Sequence, residues 1–308
     1  MRFGRPRDWA IGGGLLAAVI TGVAMTVGWG PLLAPWRELG IGELAGLLSL
    51  SAASYFLRAV RVYDWFRPRF ASCFPTVLRL SVLHNTANNL LPMRAGEMVF
   101  PWLMSRYFGH GFLGATATLV WIRLLDLHFL GLIGFFILYL REPSWLWPAA
   151  ALAWLGLLPL MGLLRRLAPT GEEGGRSRRF VRLVAQATPT SGVLVARVYG
   201  WTALVWITKF IAFAALLGHF LPVETWQILI GVMGAELSSV LPFHGIAGSG
   251  SYEVAMVAAL IPFGVSADAA FAGAVNLHLF LLGVTVLLGL LALLLPVRPP
   301  RMNAKPAS

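Results

Sequence analysis

The sequence predicts an all-α polytopic membrane protein, with about six transmembrane helices plus two re-entrant helical hairpins in an inverted repeat. Three observations predict it. Hydrophobic residues make up 58% of the 308 residues and charged ones only 12%, and the mean hydropathy of +0.75 lies outside the range of an ordinary soluble domain. The apolar runs are long enough to cross a bilayer and are flanked by arginines. Two stretches, 81–107 and 238–253, interrupt that pattern with related residues: a polar pair, Leu-Pro, glycines and a glutamate.

The first apolar run, Trp9 to Val27, follows Arg2, Arg5 and Arg7 and reads as an uncleaved first helix. Ile41 to Val60 is the second span, with Arg58, Arg61, Arg67 and Arg69 marking a cytoplasmic end. The arms that follow, Thr76 to Leu91 and Glu97 to Phe108, are too short for a hydrocarbon core of about 30 Å at roughly 1.5 Å per residue, so they are expected to form a hairpin. Phe112 to Leu140 and Trp145 to Leu164 are full spans around a short Arg141-Glu142-Pro143 turn. Val198 to Leu217 crosses outward, a second hairpin has arms Trp226 to Leu241 and Gly250 to Phe263, and Ala267 to Leu295 returns to a basic tail.

The chain is thus one integral membrane domain, 1–308, with a first repeat unit at 41–140, a cytoplasmic linker at 165–190 and a second unit at 198–295. Most arginines fall on one side, and only Arg37 and Arg141 are assigned to outer turns. Both termini are therefore expected in the cytoplasm of a bacterial-type inner membrane. Paired broken segments in two opposed halves are the pattern of a transporter site; Pro-Gly turns in extramembrane loops are the plainer alternative.

Several function classes are excluded or disfavoured. The formal charge of +11 is spread over the ends of apolar runs, which fits membrane orientation and anionic lipid heads better than nucleic acid. The single cysteine, Cys73, rules out an internal disulfide. No P-loop, nucleotide fingerprint or HExxH motif is present, so no cofactor and no metal are expected.

Ionisable residues at membrane depth are costly and mark candidate sites. Arg123 and Asp126, three apart on one helix face, form either a self-neutralising structural pair or a phosphate ligand tuned by its carboxylate. Glu97 and Glu253 open the second arm of each hairpin, as helix caps or as proton or cation sites. Lys209, mid-span, requires a partner or an aqueous cavity. Asn88, Asn89, Arg94, His244 and Ser249 complete the candidate substrate-binding set. Both second arms are expected to aim free helix N-termini, with Arg94 and Arg123 nearby, at a lipid phosphate.

Four motifs, in order, carry a resemblance: Arg58-x-x-Arg61, Asn88-Asn89-x-x-Pro92-x-Arg94-x-Gly96-Glu97, Arg123-x-x-Asp126, and Leu241-Pro242 with Gly245, Gly248, Gly250 and Glu253. The chain resembles the flippase-like integral membrane family named after the lysylphosphatidylglycerol synthase transmembrane region, which includes the membrane half of MprF-type proteins. The resemblance implies movement of a phospholipid or polyprenyl-type lipid between leaflets. The soluble aminoacyl-transfer domain of MprF-type members is not found by Ser308, so lysyl transfer is not expected to carry over. An intramembrane enzyme acting on a lipid head group, and a non-catalytic subunit of a lipid or envelope biosynthesis complex, are the alternatives. A complex partner or homo-oligomer fits the latter. The missing nucleophile–base motif and the repeat favour a transporter over an enzyme.

Overall fold

Ten helices longer than two turns carry the architecture of the computed structural model, which describes residues 6–66, 73–161, 181–182, 184–185, 187–188, 191–238 and 245–297. They are α1 (Pro6–Thr26), α2 (Ile41–Trp65), α3 (Phe74–Leu90), α4 (Val99–Phe108), α5 (Phe112–Arg141), α6 (Leu146–Leu155), α7 (Gly192–Phe220), α8 (Thr225–Ser238), α9 (Ser251–Leu260) and α10 (Ala267–Leu293). No strand occurs among the described residues. The protein is an all-α, multi-pass membrane protein: five helical segments are long and apolar enough to cross a bilayer, or six when α2 is joined to the short helical stretch before it, across a 96° bend.

Local chemistry sets the helix ends. Glu43 accepts the Gly40 N–H at 3.1 Å at the start of α2, and Ser266 accepts the Ala269 N–H at 3.3 Å at the start of α10. Leu91 adopts an extended conformation ahead of Pro92, as the ring of a following proline demands, and this stops α3. The chain then makes a 3₁₀ run, Pro92–Met98, that feeds directly into α4. At 17 residues, α3 extends about 25 Å, short of a hydrocarbon core.

The long and the broken helices pack across the two halves of the chain. α2 packs on α7; α3 packs on α10, and α8 on α5. The main core is built from α2, α7, α8, α9 and α10 around Phe213, Leu216, Met256 and Leu277. A second core joins the end of α2 to α3, α4 and α5 around Leu80, Phe100 and Met104.

Polar contacts divide the molecule into two ends. At one, Arg141 lies over the rings of Trp226 and Phe263, and His219 bonds to the Pro35 carbonyl at 2.9 Å. At the other, Arg197 pairs with Asp64, and Arg79 donates to the Leu295 carbonyl at 2.5 Å, satisfying the C-terminal end of the last apolar run. In a Cys73→Ser background, cysteines at the exposed positions Glu224 and Arg106 are expected to label from opposite faces only, Arg106 from the cytoplasm. Labelling of both from one face would refute the two-ended topology.

The structure corrects the sequence reading in two places. Helix α2 runs five residues beyond Val60, to Trp65, and Arg58 and Arg61 are 9% and 3% exposed. They are interior groups, not cytoplasmic flanks. The segment expected to span as Trp145 to Leu164 is interrupted after Leu155, with Gly156 and Leu157 in a turn before a further single turn, Leu158–Met161; the residues beyond lie outside the described structure. Ahead of α9 the Gly250 N–H is taken by Glu253 at 2.8 Å, and ahead of α4 the 3₁₀ run leads directly into the helix.

Candidate functional site

A cavity of about 550 Å³ lies where α2, α3, α5, α7 and α8 converge. Asn85, Asn88 and Asn89 reach it from α3, Glu97 and Met98 from the 3₁₀ run, Arg123, Leu124 and Leu127 from α5, and Arg58, Lys209 and Glu236 from α2, α7 and α8. The broken backbone after α3 is what places Glu97 here. Gly96 lies so close to α3 that a Cβ would sit 2.3 Å from both Cα and N of Asn88. Only glycine permits that approach.

Two charged networks line the space. In the first, Arg61 bonds Asp126 at 2.5 Å and Thr202 Oγ1 at 2.9 Å, while the Trp206 indole donates to Asp126 at 2.9 Å. Arg123 reaches the same carboxylate at 3.4 Å and bonds Glu97 at 2.8 Å. His84 lies 3.6 Å from Glu97. In the second, Lys209 pairs with Glu236 at 2.5 Å, with its ammonium over the Phe213 ring at 4.9 Å. Each charge of these two networks is therefore met by an opposite one, which removes most of the penalty for burying it. Asn89 is fixed by Tyr55 at 3.2 Å and Thr285 at 2.9 Å, and those two hydroxyls bond each other.

Six of the ten candidate residues named from the sequence, Asn88, Asn89, Glu97, Arg123, Asp126 and Lys209, come together on this cavity. Lys209 has both the partner and the cavity it was expected to need. Arg123 and Asp126 do touch, but the shorter and more buried partner of Asp126 is Arg61. Ser249 and Glu253 do not line the large cavity: Glu253 caps α9 and holds His278 Nδ1 at 2.6 Å. Nearby, His278 and Tyr252 line a smaller void of about 50 Å³ that adjoins Asn88, Lys209 and Glu236. His244 lies outside the described residues, as does the side chain of Arg94. No group of three or more metal-ligating side chains occurs among the described residues.

Arg58, Arg61, Glu236, Tyr55 and Trp206 were missed as site residues. A signal existed for two of them. Glu236 is a lone carboxylate in an apolar run, the same cue that marked Lys209. Arg61 lies three residues before Asp64, so both belong to one helix face if the helix continues past Val60.

One known family matches the chain over residues 9–289, the lysylphosphatidylglycerol synthase TM region. The chain belongs to that family. No curated protein and no solved structure matches it. The match covers every described helix except the ends of α1 and α10. It thus takes in both charged networks and the whole cavity.

Proposed function

We propose that the protein carries a lipid with an anionic head group between the leaflets of its membrane. The observation that carries this reading is the two-sided character of the cavity. Arg58, Arg123 and Lys209 line it inside, while Met98, Leu124 and Leu127 line it and are also 48%, 37% and 47% exposed on the outer face of the molecule. An opening between apolar side chains lets acyl or isoprenoid tails stay in the bilayer while the head group enters a polar interior. The family's description names a lipid synthase, which supports a lipid as the ligand. The pairing of α3 with α10 and of α8 with α5 suits an inverted repeat with re-entrant hairpins, in which one unit rocks against the other.

Purified protein in proteoliposomes is expected to speed the exchange of labelled phosphatidylglycerol between leaflets over protein-free vesicles. Leu127→Trp places a bulky ring at the apolar opening without touching either ion-pair network. It should slow exchange roughly tenfold, a barrier increase of about 1.4 kcal/mol, with thermal stability unchanged. Exchange no faster than in empty vesicles would overturn the carrier reading.

A further inference from the structure

The carboxylates around the cavity are already engaged: Asp126 with Arg61, Glu97 with Arg123, and Glu236 with Lys209. Arg58 is different. It lines the cavity, is 9% exposed, and makes no hydrogen bond or ion pair among the described residues. Among the described residues it stacks on the ring of Trp206, 5.6 Å from the guanidinium carbon, and the opposite charge that acts on it is Asp126, which is already bonded to Arg61. Stacking of this kind occupies the flat face of a guanidinium and leaves its in-plane N–H donors free. A guanidinium whose donors open onto a cavity at membrane depth is costly until water or a ligand meets it. The group that would satisfy it is a planar or tetrahedral oxyanion, bound through two parallel N–H···O contacts.

We infer that Arg58 is the anion-binding residue of the cavity, and that the site takes a single phosphodiester, which carries one negative charge. This rests on the lipid-carrier reading above and narrows it. A phosphodiester neutralises Arg58 and leaves the remaining pairs undisturbed. A diphosphate, as in a polyprenyl diphosphate carrier, would bring surplus negative charge into the same low-dielectric space, facing Glu97, Asp126 and Glu236. Asn88 lies on the same cavity, and its Oδ1 has no hydrogen-bond partner. It offers an acceptor to a hydroxyl or ammonium on the far side of the phosphate. Arg123, held by two carboxylates, is assigned a positioning role.

The test is thermal stabilisation of the full chain in neutral detergent by three probes: short-chain phosphatidylglycerol, its deacylated head group, and geranyl diphosphate. Wild type is expected to be stabilised most by phosphatidylglycerol. Arg58→Gln and Arg58→Met should raise the concentration needed by about tenfold or more, the loss of one charge-assisted bidentate contact. Without lipid, both variants should be at least as stable as wild type, because each removes a buried charge that no described protein group bonds. Marked destabilisation of both would reveal a bonded protein partner and overturn the proposal, as would unchanged lipid stabilisation in either. Stronger stabilisation by geranyl diphosphate would overturn the single-charge assignment. Equal stabilisation by the deacylated head group would leave the Arg58 site standing and remove the lipid from it. A wild type that responds to none of the three would overturn both this inference and the carrier reading.

Discussion

Asp126→Ala is expected to destabilise the protein by on the order of 3–5 kcal/mol, the usual scale for a buried ion pair that loses one member. The reason is the number of donors that converge on one carboxylate. Arg61, Arg123 and the Trp206 indole all point at it, and Arg61 and Asp126 are 3% and 4% exposed. Removing the carboxylate leaves the Arg61 guanidinium inside the helix bundle with only Thr202 as an acceptor. Adding Arg61→Met should recover much of the loss, since the double variant buries an apolar chain of similar length. Adding Arg123→Met to Asp126→Ala should recover less, because Arg123 keeps Glu97 and is ten times as exposed as Arg61, 30% against 3% of its side chain. Thermal unfolding in detergent across this series measures the coupling. Equal recovery from the two second changes would refute the assignment of Arg61 as the principal partner.

The second large effect is expected at Gly96. A methyl group there would meet the backbone of α3 at Asn88 and Ala87, at 2.3 to 2.5 Å. No rotamer change relieves that clash, because the atoms met are main chain. The 3₁₀ run must move away from α3, which carries Glu97 off Arg123 and opens the cavity wall on the side of Asn88. Gly96→Ala should therefore cost at least the roughly 1–3 kcal/mol of ordinary overpacking, and it should abolish lipid exchange even in protein that still folds. Gly42→Ala in α2 is the control, because its Cβ would meet nothing within 4 Å. Normal exchange by a Gly96→Ala variant would show that the 3₁₀ run does not build the site.

Much of the architecture was legible in the sequence because each long helix is a predominantly apolar run, and such a run has few ways to satisfy its backbone except as a helix in lipid. The broken segments were legible for the complementary reason. Pro92 and the glycines around 245–250 halt a helix locally, whatever packs on it. The residue types of the site followed the same logic, since Arg123, Asp126 and Lys209 stand out in an apolar background with no reference to any neighbour.

What the sequence alone determined is therefore the all-helical membrane class, the order of long and broken segments, and six of the residues that meet on the cavity. Pairing was decided only by the tertiary structure. Asp126 joins Arg61 across 65 residues, Lys209 joins Glu236 across 27, and Arg123 turns toward Glu97, 26 positions earlier. No local spacing rule encodes those contacts, because they depend on which faces of α2, α5, α7 and α8 turn inward. The same packing decided the fate of two neighbouring arginines. One turn of helix separates Arg58 from Arg61, yet only Arg61 reaches a carboxylate; Arg58 rests on Trp206 with its donors free.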